Sequence, residues 1–271
     1  MIRVGAAVVT AVALAFLLLP VLALFLRVPP AELVAQLGTG PARDALLVSL
    51  KTSLIAHAVV LGVGTPVAHQ LATRRFRGRR LAIAVIELPL VLPPAVAGIA
   101  LLAAFGRRGL LGDELAWLGI SLPFTQAAVV LAIVFVASPF YLRAAIAAFA
   151  SVDPMLVDAS RTLGAGGART FLRVAVPLAA GGLGAGSSLA FARGLGEFGA
   201  TIIFAGSFPE VTQTAPLAIY ALFDLDFEAA LALGALLVVV SAALLALVSL
   251  LPTWTRSPST SPIPFAPSAS R

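Results

Sequence analysis

The chain contains no cysteine. Disulfide frameworks, thiolate metal sites and thiol nucleophiles are excluded at once. Charge is scarce as well: only 11% of the 271 residues carry it, against about a quarter in a soluble domain. Just two histidines are present, His57 and His69, twelve residues apart. That spacing is poor for a metal site, and a helix end or a satisfied packing position is their ordinary role. There is no G-x-x-x-x-G-K-[ST] loop, so the chain has no ATP site of that type. The glycines between residues 181 and 186 do not make one, because they lack the lysine and lie in an apolar run. Nor do the histidines and isolated acids form a nucleophile–base spacing, which leaves an intramembrane enzyme without its constellation.

What the chain has in excess is apolar length. It is 60% hydrophobic, with a mean hydropathy of +1.06. Several runs reach the length of about 20 residues that crosses a bilayer as a helix. The fold class expected is an all-α integral membrane protein with six transmembrane helices, at about residues 4–26, 45–72, 81–105, 125–149, 178–205 and 229–251. The first run follows Met1-Ile2-Arg3 and is longer than a cleavable signal core, so it reads as an uncleaved span. A polar connection follows at 31–43. The third run contains Glu87 and is interrupted by Pro89, Pro93 and Pro94. These remove backbone donors, giving either a kinked packing helix or a broken segment beside a transport path. The fourth is kinked at Ser138-Pro139, with Arg143 near its end toward the polar stretch that follows. The fifth is crowded with glycine, as at a close helix–helix interface. Three segments result: 1–43, the first span and its outer loop; 44–251, a five-helix domain; and 252–271, a Pro- and Ser-rich tail expected to be disordered in the cytoplasm.

Residues 153–177 are too polar to cross a membrane. Asp153 is placed to cap a helix that Pro154 opens. Met155, Leu156, Ala159 and Leu163 recur at helical spacing, and Gly164, Gly166 and Gly167 break the run. A second short helix is expected at 168–176, ended by Pro177. This helix–turn–helix lies on the membrane surface. It is either a passive amphipathic connector or a docking element.

Arginine sets the topology. Arg74, Arg75, Arg77, Arg79 and Arg80 fall within seven residues between two spans. Such a run marks a cytoplasmic loop facing anionic lipid and is too short and too close to the bilayer to read as a nucleic-acid site. With the N-terminus inside, twelve basic residues lie on the inner side and five outside. Both termini are then cytoplasmic, and so is the stretch 153–177.

Asp158-Ala159-Ser160, Gly164 and Val174-Ala175-Val176-Pro177 resemble the coupling-loop signature of ABC importer permeases, which reads Glu-Ala-Ala, three residues, Gly, nine residues, Ile-x-Leu-Pro. Asp158 stands for Glu, Ser160 for the second Ala, and Val174 and Val176 for Ile and Leu. The segments 90–94, 105–112, 189–201 and 212–220 resemble molybdate permeases, and sulfate permeases share much of this. The resemblance covers about residues 40–250 and favours docking over the passive connector.

It implies a type I ABC importer permease for molybdate or tungstate in a prokaryotic inner or plasma membrane. The alternatives are a sulfate/thiosulfate permease and, in another class, a structural membrane scaffold. The implied partners are a second copy of the chain, two cytoplasmic ATP-binding subunits and an extracytoplasmic oxyanion-binding protein. No cofactor or metal is expected on this chain, since ATP and Mg belong to the partner ATPase. Asp158, Ala159, Ser160, Leu163, Gly164, Ala165 and Pro177 are the coupling candidates. An oxyanion needs polar donors along its route. Ser138, Ser187, Ser188, Thr201 and the backbone near Pro93 are the pathway candidates. Arg193 and Glu197, one turn apart, read either as an anion ligand with its neighbour or as a neutralised intramembrane pair that packs helices.

Overall fold

The computed structural model describes residues 2–29, 31, 35 and 38–250. Every element among them is helical. In chain order they are α1 (Ile2–Arg27), α2 (Gly40–Thr73), α3 (Arg79–Val91), α4 (Pro94–Phe105), α5 (Gly112–Trp117), α6 (Gln126–Ala150), α7 (Pro154–Thr162), α8 (Gly167–Leu195), α9 (Gly199–Ala205), α10 (Ala215–Leu222) and α11 (Phe227–Leu250).

The centre is built from α2, α6 and α8. Ala56, Val60 and Ala68 of α2, Ala132, Val136 and Ala145 of α6, and Ala179 and Ala190 of α8 are buried together. Small residues let these backbones approach closely. A Cβ added at Gly182 would come within 2.5 Å of Ala148 Cβ, one at Gly186 within 2.6 Å of Ala144 Cβ, and one at Gly194 within 2.8 Å of Ile133 Cγ2. Thr65 and Tyr141 join α2 to α6 through their hydroxyls at 2.6 Å. A smaller cluster of Ala42, Ala45, Ala218 and Leu233 ties the start of α2 to α10 and α11. By contrast, α1 stands outside the bundle and is exposed along nearly its whole length.

Four described helices are long and apolar enough to cross a membrane, or five if the bent pair α3–α4 is one span. The expected sixth span coincides with α11, of which Phe227–Ala243 counts as a shorter apolar helix. The tail from Pro252 onward lies outside the described residues.

Several expected boundaries are corrected. The third run is not a kinked rod: the chain bends by 118° between α3 and α4. Pro93 and Pro94 have no N–H to continue α3, but Pro94 fits the first turn of a new helix, where no donor is needed. The fifth run does not reach residue 205 unbroken. It stops at Leu195, and α9 begins at Gly199. The expected short helix at 168–176 is the first part of α8, and Pro177 ends nothing. A π segment, Phe171–Ala175, precedes it, and Val176 N–H donates to Phe171 O five residues back. This wider turn makes room for a proline that cannot donate to the residue four positions earlier. Residues 40–43, expected in a polar connection, are helical, and α10 sits within what reads as a continuous loop.

Gly186→Val forces side-chain atoms into the α6–α8 contact. Overpacking of this kind costs about 1–3 kcal/mol. Its Tm in detergent, followed by size-exclusion recovery after heating, is expected below that of wild type; an unchanged Tm contradicts this packing.

Candidate coupling helix and transport pathway

The geometry of α7 follows from its two ends. Asp153 accepts a hydrogen bond from Met155 N–H at 2.9 Å, and Pro154 takes the first helical position. At the other end Gly164 has φ +84°. Its N–H donates to Arg161 O at 2.9 Å, and Ala165 N–H donates to Ser160 O at 3.0 Å. This is a Schellman cap, in which two orphan carbonyls are satisfied and glycine supplies the left-handed residue. Ser160 then does a second job. Its hydroxyl lies 3.0 Å from that of Thr170, which is buried in the first turn of α8. The turn is thus pinned to the long helix behind it.

No residue of α7 is buried. Met155 and Leu156 are exposed, and Leu163, at the tip, is 88% exposed. These apolar side chains stand outside the bundle on a capped turn. Asp158 and Arg161 are 3.4 Å apart but both largely exposed, so their pairing adds little stability. Between α7 and the end of α2 lies a cavity of about 850 Å³, lined by His69, Arg74, Arg75, Arg79, Asp158 and Arg161 among others. The basic loop and the capped helix therefore share one end of the bundle. Arg79 also donates through Nε to Leu71 O, which fixes the turn from α2 into α3.

Deeper in the bundle the two helix breaks come together. Gly199, the first residue of α9, abuts Pro94, the first of α4, with no room for a Cβ. Glu197 is buried beside this contact. Its Oε1 accepts from Ala200 N–H at 2.8 Å, which caps α9. Its Oε2 lies 2.8 Å from Arg193 Nη1, an ion pair without hydrogen-bond alignment. The carboxylate thus satisfies a backbone donor freed by the break, and Arg193 balances its charge.

The pathway candidates separate. Pro93 immediately precedes α4 as its N-cap residue, and Thr201 belongs to α9, which packs against α4. Thr201 is fully buried, and its hydroxyl has no partner among the described residues. Ser138 and Ser188 spend their protons on Val134 O and Gly184 O, the latter at 3.0 Å. As placed, they have no proton to give an anion. Ser187 faces α2, with its hydroxyl 2.9 Å from His57 Nε2. His57 also packs edge-on against Phe191, and His69 lies between Phe149 and Phe171. Thr170 and the pairing of Arg143 with Glu87, at 3.8 Å, were not apparent in the sequence. Both join elements that only the tertiary fold brings together, although Arg143 inside an apolar run was itself a visible signal.

Residues 58–257 match the family model described as the binding-protein-dependent transport system inner membrane component. The chain belongs to this family. This ABC permease is 45% identical over 227 residues to the molybdenum transport system permease protein ModB of Mycobacterium tuberculosis (strain ATCC 25618 / H37Rv), covering 84% of the chain and 86% of that relative. It is 44% identical over 187 residues to the ModB protein of Escherichia coli (strain K12), covering 69% and 82%. A solved bacterial alginate ABC transporter in complex with its pentasaccharide-bound periplasmic protein shares the fold at a TM-score of 0.72 and 15% identity, over 91% of this permease and 92% of that chain. The permease is a multi-pass membrane transport component and not an enzyme.

Arg193→Ala leaves a buried carboxylate unpaired. Breaking a buried pair in this way costs about 3–5 kcal/mol. The expected outcome is a sharp drop in folded, monodisperse permease. A well-assembled variant that has lost only its choice between oxyanions would make Arg193 a substrate ligand instead.

Proposed function

We propose that this chain is the membrane subunit of an ATP-driven importer that carries molybdate, or the similarly sized tungstate, into the cytoplasm. The observation that carries this reading is the 45% identity to a molybdenum transport permease across 84% of the chain. In this reading two copies pair in the inner membrane, each with six spans and both termini inside. An extracytoplasmic protein delivers the oxyanion, and two separate subunits bind ATP with Mg on the cytoplasmic side.

The capped helix α7 is the part that meets the ATPase. Leu163 and Ala165 supply apolar contact, Asp158 and Ala159 the exposed face, and Ser160 the bond to Thr170 behind the turn. ATP can drive the spans only if its subunits bind one permease state more tightly than the other. A turn pinned to α8 transmits that difference as a rigid displacement of a 29-residue helix. The passage itself need offer only weak, transient contacts, because the oxyanion must leave as readily as it enters. Thr201 and the backbone near Pro93 fit such a role better than the three serines, whose hydroxyls are engaged.

The test is oxyanion uptake into proteoliposomes holding this chain, its cognate ATPase and its binding protein. ATP-dependent molybdate or tungstate uptake, little reduced by sulfate, is expected. Sulfate uptake would change the substrate and keep the machine, and an assembled complex that moves no oxyanion would overturn the reading. Gly164→Pro cannot donate to Arg161 O and cannot reach φ +84°. It is expected to insert normally and to lose uptake; full uptake would remove the coupling role of this turn.

A further inference from the structure

Arg143 and Glu87 form an ion pair unlike that of Arg193 and Glu197. Arg143 Nε lies 3.8 Å from Glu87 Oε1, and the two side chains are 73% and 40% exposed. No hydrogen bond is made by the Arg143 guanidinium among the described residues, and no residue of α3 is buried.

Depth is what makes this pair informative. Glu87 lies eight residues into α3 from Arg79, and Arg143 lies seven residues before Ala150, the end of α6. At 1.5 Å per residue both stand about 10–12 Å inside the same end of the bundle. The ends match because Arg79 and Ala150 line one cavity with the basic loop. A glutamate that deep has no reach to the headgroups, and a charged pair facing lipid is strongly disfavoured. The exposed face must therefore meet water or protein.

We propose that Arg143 is an oxyanion contact in the half of the passage nearest the coupling helix, with Glu87 as the counter-charge to which it returns between ions. This rests on the import reading above. The loose geometry suits the task. A guanidinium held at 3.8 Å by a partly exposed carboxylate has donors to spare for a tetrahedral dianion. In the tighter Arg193–Glu197 pair the carboxylate is buried and committed to a helix cap.

The absence of cysteine makes the test direct. In the full complex, with partner subunits stripped of reactive cysteines, Glu87→Cys supplies one thiol per copy of this chain, probed with a membrane-impermeant, negatively charged thiosulfonate. Labelling is expected, and molybdate is expected to slow it several-fold. Arg143→Gln is expected to lower uptake about tenfold or more, the scale of a lost charged hydrogen bond, with assembly and basal ATP hydrolysis retained. Arg143→Lys is expected to recover much of that loss. A Glu87→Cys variant that resists labelling in an assembled, ATP-hydrolysing complex overturns the assignment, as does normal uptake by Arg143→Gln while wild type transports. A wild-type complex that imports no oxyanion takes both readings down together.

Discussion

In so apolar a chain, each backbone N–H and C=O needs a partner within the protein, because lipid offers none. Two places put that requirement under pressure: the break at Leu92-Pro93 and the break after Leu195. They are solved by different chemistry. At the first, proline supplies residues that have no donor to satisfy. At the second, Glu197 reaches Ala200 N–H and caps α9. The solutions depend on each other, since Gly199 rests on Pro94 without space for a methyl group. Once a carboxylate is buried at the break, its charge must be balanced, and Arg193 one turn back does so. Close packing of α6 against α8 through Gly182, Gly186 and Gly194 then holds the broken segments in register with the unbroken ones.

The same economy of backbone partners shapes the surface helix. Its carbonyls at Ser160 and Arg161 are closed by the Gly164 turn, and the Ser160 hydroxyl is closed by Thr170. Little freedom is left for Leu163 to move except with α8. Downstream, α8 passes through its π segment without a break and runs on to Leu195, where the Arg193–Glu197 pair begins. One continuous helix therefore connects the exposed apolar tip with the buried helix break. In the import reading, that continuity is what turns an event at an ATPase into a rearrangement within the membrane.

Much of this was legible in the sequence. Hydropathy located α1, α2, α6 and α11 to within a few residues, because each is a long run with few charges. Asp153, Pro154 and Gly164 announced the start and stop of α7 through their backbone preferences alone. The failures share a physical reason. Pro177 reads as a terminator, yet a π turn absorbs it, and nothing local signals a π turn. Glycines at 194, 196 and 199 suit close packing and a break equally well, so the end of α8 was missed. The engagement of Ser138 and Ser188 with their own helix backbones, and the meeting of Arg143 with Glu87, depend on rotamers and neighbours that spacing does not specify.

The central claim is that α7 and α8 move as one body. Spin labels on cysteines introduced at Leu156 and Arg169 of this cysteine-free chain, read by double electron–electron resonance in the assembled complex, test it most directly. The distance within one chain is expected to stay constant between nucleotide-free and ATP-bound states, while the Leu156-to-Leu156 distance between two copies changes. An internal distance that shifts with ATP, against an unchanged distance between copies, would contradict the account.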